Sequence, residues 1–126
     1  SRERIRSPLL DQAKAVLLLD SSQFASFESR VRSGGIIVAE KTGLTEQRGR
    51  DDYKLYALPG MEIAVNMGST VINNMILLGA YVVIAGLLPP ELFERELLEK
   101  YKGDEKVLTR NVEAFKRGLE LGKAAK

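Results

Sequence analysis

The run of apolar segments along this chain predicts an α/β fold with a mostly parallel sheet, and three observations carry that reading. Residues Ala13–Asp20 (AKAVLLLD) form a short continuous apolar run closed by an acid, the pattern of a strand covered on both faces. Ser21 and Ser22 follow as helix N-caps, with Phe24, Phe27 and Val31 at spacings of three and four. Ser33-Gly34-Gly35 then stops that helix, and Ile36–Ala39 is a second buried strand, so residues 13–39 read strand, helix, strand.

The remaining elements follow in order. Glu40 to Asp52 is polar and rich in turn formers, a surface loop longer than most connections in compact domains. Tyr53–Leu58 alternates into Pro59 and predicts a third strand nearer the sheet edge. Gly60–Met67 is a short helix with Met61, Ile63, Ala64 and Met67 as its apolar positions, ended by Gly68. Ser69 or Thr70 caps a long apolar helix in which Gly79 and Gly86 share one face, which predicts close backbone packing there. Pro90 opens the next helix, whose inner stripe is Leu92, Phe93, Leu97, Leu98 and Tyr101, and Gly103 ends it. The last helix, about Glu105–Lys123, buries Leu108, Val112, Phe115 and Leu119. Residues 1–126 are a single domain by length. The expected architecture is three-layer α/β/α, Rossmann-like, with a sheet incomplete at its N-terminal side, because three strands are few and most helices fall at one end.

Composition narrows the chemistry. Apolar residues make up 44% and charged residues 29%, ordinary for a globular domain. The net charge of +2 is too small to argue for nucleic acid, and Arg2, Arg4 and Arg6 are the one basic concentration, read as a solvated edge. There is no Cys, so the chain itself ligates no iron–sulfur cluster, and no His, which removes the commonest general base. No charged-then-apolar leader opens the sequence, and the cytoplasm is the expected compartment. Val71–Leu88 is uncharged over eighteen residues, but Asn73 and Asn74 interrupt it and no basic flank or aromatic belt brackets it, so a buried helix is expected there and no membrane span.

Few residues suggest a site. Asp20, at the carboxyl end of a strand, either caps the following helix or holds a ribose hydroxyl; without a glycine-rich turn roughly twenty residues earlier, capping is favoured. Gly35–Thr42 is one residue short of a phosphate-binding loop, yet Ile36–Ala39 must be strand, so its N–H groups are not free to cradle phosphate. Asn73 and Asn74 open an otherwise apolar helix and must be hydrogen-bonded if buried, either within the fold or to a partner or ligand. Glu62 has Lys54 or an arginine as a candidate partner, or caps the start of its own helix. No carboxylate pair or acid cluster has the spacing of acid–base catalysis or a metal site, so the catalytic and metal sets are empty.

Taken in order, several motifs resemble the C-terminal part of the gamma subunit of 2-oxoacid:acceptor (ferredoxin) oxidoreductases. They are I-R-S-P (Ile5–Pro8), V-x-S-G-G-I-I-V (Val31–Val38), Y-K-L-Y-A-L-P (Tyr53–Pro59), E-I-A (Glu62–Ala64), N-N-M-I-L-L-G-A (Asn73–Ala80) and N-V-E-A-F-K-R-G (Asn111–Gly118). The similarity covers nearly the whole chain, and its most specific pieces are the two helical motifs in this order and separation. It departs from the family at the start: the glycine-rich strand–loop–helix and the Arg-Gly-Gly type segment that open the domain are absent, which agrees with an incomplete sheet.

The resemblance implies a non-catalytic piece of an enzyme that converts a 2-oxoacid and coenzyme A to acyl-CoA and carbon dioxide. It implies thiamine diphosphate and iron–sulfur clusters on partner subunits, other oxidoreductase subunits as partners and coenzyme A nearby. It also makes Asn73 and Asn74 candidates for an interface or pocket wall. Pyruvate, 2-oxoglutarate and branched-chain oxoacids all fit, and a dimer is one assembly the sequence allows. Two other classes compete: a small-ligand or nucleotide-binding Rossmann-like domain with its site at Asp20, and an oligomerisation module using the Asn73–Gly86 helix.

Overall fold

The computed structural model describes residues 13–44, 48–86 and 88–126; the Arg2, Arg4, Arg6 cluster and the Ile5–Pro8 motif lie outside the described residues. Two compact units divide the chain, the first ending at Ala57 and the second running from Leu58 to Lys126.

The first unit is built on three strands in the order β1 (Ala13–Leu18), β2 (Val31–Glu40) and β3 (Lys54–Leu58), the last residue of β3 opening the second unit. β1 and β2 pair in parallel. Gly34 N–H donates to the Asp52 carbonyl at 2.6 Å, which sets the beginning of β3 beside the beginning of β2 and makes the third strand parallel as well. β1 stops at Leu18 and not at Asp20, because the Asp20 carboxylate accepts the Ser22 N–H at 3.1 Å and turns the chain into a short 3-10 segment, Ser21–Gln23.

The helix between β1 and β2 is shorter than its spacing predicts. α1 spans Phe24–Glu28, and Val31 is the first residue of β2, fully buried, where a helical position had been expected. The parallel ladder decides this. Ala13 N–H donates to the Arg30 carbonyl at 2.6 Å and Ala13 stands opposite Val31, so residues beyond Ser29 gain more from pairing with β1 than from another helical turn. Gly34, expected to cap the helix, instead forms a bulge at φ +83. Between Ala13↔Val31 and Ala15↔Ile36 the register shifts, and β2 carries the extra residues. The left-handed conformation that suits a helix cap also suits a bulge, so glycine alone could not separate them. The core of this unit gathers Leu18, Phe24, Val31, Ile37, Ala39 and Tyr53.

The second unit is helical: α2 (Gly60–Asn66), α3 (Asn73–Ala85), α4 (Pro90–Lys100) and α5 (Glu105–Ala125). Ser69 Oγ accepts the Val71 N–H at 3.2 Å and starts a 3-10 turn, Thr70–Ile72, that runs into α3. α3 has 13 residues, so it is about 20 Å long against a hydrocarbon layer of about 30 Å. No described helix is long and apolar enough to cross a membrane. Of the two glycines expected to share a packing face, only Gly79 packs. Gly86 ends α3 in the left-handed conformation at φ +65, because the chain must leave the helix before Pro89 and Pro90.

α4 buries a narrower stripe than expected. Phe93, Leu97 and Tyr101 lie four residues apart on one line against Val82 and Phe115, with the Phe93 and Phe115 rings stacked at 6.1 Å. Leu92 and Leu98 sit about 100° to either side of that line and remain exposed. In α5, Phe115 is fully buried with Ala114, Gly118 and Gly122, while Leu108, Val112 and Leu119 pack partly buried around it.

Candidate functional site

The carboxyl ends of β1 and β2, where open α/β sheets take ligands, are closed by local bonds. Asp20 is exposed and its Oδ1 accepts from both the N–H and the hydroxyl of Ser22, the latter at 2.7 Å. Those two bonds hold its carboxyl below the usual value. Ser21 is buried and its hydroxyl donates to the Glu40 carbonyl. The buried Glu40 carboxylate accepts the Thr42 N–H at 2.9 Å. Asp20 is therefore a cap. The Gly35–Thr42 near-match also places its middle in β2, with Ile37, Val38 and Ala39 fully buried in strand.

One consequence is measurable. A carboxyl held below its unfolded value contributes stability that is fully present above about pH 4 and is lost as the pH falls through the folded value. Asp20→Asn keeps a capping oxygen and removes the titration. Urea unfolding from about pH 5 to about pH 2 should show a shallower loss than the parent chain, and equal slopes would refute the assignment.

The asparagine pair separates at the start of α3. Asn74 is exposed, whereas Asn73 is only 6% exposed and its Oδ1 finds no donor among the described residues. A buried acceptor left without a partner costs about 1–3 kcal/mol, so this oxygen is the one described side-chain atom whose environment asks for something more. Ile72, immediately before it, lines an open groove of about 600 Å³ with Met67, Lys106, Arg110 and Glu113. Val65 and Val71 on the neighbouring turns are 56% and 83% exposed. Glu62 lies exposed in the first turn of α2, where its charge complements the helix N-terminus, and forms no ion pair among the described residues.

A second polar cluster escaped the sequence. Glu28, at the end of α1, is 8% exposed. Its carboxylate accepts the Gly49 N–H at 3.0 Å, the Arg50 N–H at 3.2 Å and the Tyr53 hydroxyl at 2.7 Å. Arg50 donates to the carbonyls of Glu28 at 2.7 Å and Val31 at 2.8 Å, and grips both oxygens of Asp52 at 2.9 Å. Arg48 donates to the Tyr53 carbonyl at 2.7 Å and lies 4.4 Å from the centre of its ring. The R-G-R-D-D-Y stretch read as a polar loop; the signal missed was one acid twenty residues upstream, at a helix end, able to gather two loop amides. Every group here is engaged in holding the loop. Among the described residues no cluster of acids could hold a metal.

The profile of the family described as pyruvate ferredoxin/flavodoxin oxidoreductase matches residues 1–121. Among solved structures, the chain is similar to the gamma subunit of a keto/oxoacid ferredoxin oxidoreductase from Geobacter sulfurreducens PCA. That likeness has a TM-score of 0.80 at 25% identity and covers 90% of this chain and 66% of the other. It is also similar in fold to a 2-oxoglutarate:ferredoxin oxidoreductase from Magnetococcus marinus, solved with 2-oxoglutarate, coenzyme A and succinyl-CoA bound. There the TM-score is 0.78 at 24% identity, over 92% of this chain and 21% of that one. The chain thus spans just under two thirds of the first protein and about a fifth of the second. None of the curated proteins matches it. The α/β fold is that of the oxoacid oxidoreductase gamma subunit, and the chain belongs to the pyruvate ferredoxin/flavodoxin oxidoreductase family.

Proposed function

We propose that this chain is a non-catalytic gamma part of a cytoplasmic 2-oxoacid:ferredoxin oxidoreductase, the complex that oxidatively decarboxylates a 2-oxoacid with coenzyme A to acyl-CoA. The observation that carries the reading is the likeness to a gamma subunit over 90% of the chain, together with a family match over residues 1–121. The chemistry of the residues agrees. With no Cys and no His, the chain's donor set does not fit an iron–sulfur cluster. Clusters and thiamine diphosphate belong, on this reading, to partner subunits, and coenzyme A passes nearby. Asn73, whose oxygen finds no donor among the described residues, serves on this reading as a wall or interface residue, and Asn74 follows it at the next, exposed helical position.

The reading is tested by purifying the tagged chain from its native host without oxygen. Iron, thiamine diphosphate and 2-oxoacid-dependent dye reduction should accompany it, and trying pyruvate, 2-oxoglutarate and branched-chain oxoacids then names the substrate. A chain that emerges alone and inactive would sink the proposal.

Asn73 has its own prediction. Asn73→Leu removes an unsatisfied acceptor and keeps the same branched framework of heavy atoms, so the isolated chain should be unchanged or up to about 1 kcal/mol more stable in urea. The same variant should retain fewer partner subunits. Lost stability with full assembly would mean the oxygen is satisfied within the chain.

A further inference from the structure

The beginnings of the three strands collect most of the first unit's positive charge. Ala13 stands opposite Val31, so Lys14 and Arg32 follow on neighbouring strands and are both exposed. Arg30, whose carbonyl accepts from Ala13, is exposed and holds its guanidinium 5.5 Å from the centre of the Phe27 ring. Lys54 opens β3, whose start is tied to β2 through Gly34 and Asp52. The loop before β3 returns to the same edge, because Arg50 bonds the carbonyls of Glu28 and Val31 and Arg48 is stacked on Tyr53.

Six cations (Lys14, Arg30, Arg32, Arg48, Arg50, Lys54) meet three acids there (Glu28, Asp51, Asp52), a net charge of +3 at one edge of a chain whose total is +2. Two of the acids are already engaged. Glu28 is buried under the loop, and Asp52 is gripped by Arg50. Among the described residues, Lys14, Arg30, Arg32 and Lys54 form no ion pair.

The arrangement favours a broad partner over a small one. The cations are spread along three strand starts, about 10 Å across at the usual strand spacing. The hollows beside them, one at Arg48–Asp51 of about 350 Å³ and one lined by Gly34, Asp52 and Lys54 of about 340 Å³, are both shallow open grooves. Arginines held in place by aromatic rings and carbonyls lose little freedom when they bind carboxylates, and complementary charge of this kind selects and steers a protein partner.

We infer that this edge seats a carboxylate-rich surface of another subunit. The inference rests on the reading above that the chain works within an assembly. The test uses that assembly, purified through the tagged chain at low salt and treated with a zero-length carbodiimide, which joins lysine amines to carboxylates. Mass spectrometry should find Lys14 or Lys54 joined to an Asp or Glu of a co-purifying subunit. The double reversal Arg30→Glu, Arg32→Glu should abolish those links and lower retention of that subunit roughly tenfold at about 0.15 M salt. The milder pair Lys14→Gln, Arg32→Gln should weaken retention in the same direction if the reversal does not fold.

Links confined to other lysines such as Lys106 and Lys116, or full retention by both variants, overturn the inference while leaving the gamma-subunit reading intact. Protection of Lys14 and Lys54 by millimolar pyrophosphate, but not by the subunits, overturns it in favour of a small-anion site. A wild-type chain that brings down no subunit overturns both.

Discussion

Gly118→Ala is expected to destabilise the chain by about 2 kcal/mol, a fall in Tm of about 8 °C for a domain of this size. Helix propensity alone predicts the opposite sign, since alanine is favoured over glycine inside a helix by about 1 kcal/mol. Packing reverses it. A Cβ at position 118 would land on the Ile76 carbonyl oxygen of α3 and lie 3.0 Å from the Gly79 Cα. The relation is reciprocal, since a Cβ at Gly79 would strike the Phe115 carbonyl and approach the Gly118 Cα to 3.0 Å. One turn on, a Cβ at Gly122 would stand 2.7 Å from the Ala80 carbonyl. The obstacles are backbone atoms that no rotamer change can move, so α3 and α5 must separate, loosening Phe115, Ile76 and Ala114 from their contacts. Thermal and urea unfolding of the variant decide the matter, and an unchanged or raised Tm would show that the two helices do not meet backbone to backbone.

Glu28→Ala should cost about 2–3 kcal/mol, by a different route. The substitution strands two loop amides and a phenol that now share one carboxylate, and hydrogen bonds to a charged group are the stronger kind. Urea unfolding gives the global cost. Amide exchange at Gly49 and Arg50 should accelerate roughly tenfold or more, because their acceptor is gone. Exchange that stays slow would mean that Arg50 alone, through the Glu28 and Val31 carbonyls, anchors the loop. Tyr53 adds an alkaline signature. Burial, then its bond to Glu28, pushes the phenol above its ordinary value. A raised pKa means the stability is fully present below about pH 10 and is lost as the pH rises through the folded value. Tyr53→Phe should flatten that loss.

The two substitutions also show where reading the chain succeeded and where it stopped. Gly79 drew attention as a glycine inside an apolar helix, and close packing followed from its cost. Gly118, its partner 39 residues later, carried no such mark, because a glycine near polar neighbours on an amphipathic helix resembles a tolerated weak spot. Phe24, Phe27 and Val31 fit a helical stripe by spacing, but Val31 belongs to a ladder whose other half is Ala13. The asparagine pair was legible as polar residues in an apolar helix. Which of the two is buried depends on the angle at which the 3-10 turn Thr70–Ile72 delivers the chain into α3.

From residues alone came the α/β class, the starts and stops of most elements, the absence of thiolate and imidazole chemistry, and the motif order that marks the family. All of these depend on neighbours within a few positions or on composition, and such signals survive without knowledge of the fold. Tertiary structure decided that Gly34 bulges a strand, that Gly86 caps while Gly79 packs, that Glu28 organises a loop more than twenty residues away, and that the basic residues of three strand starts share one edge. Each of those outcomes turns on an atom supplied from a distant part of the chain, and only the folded backbone brings the two together.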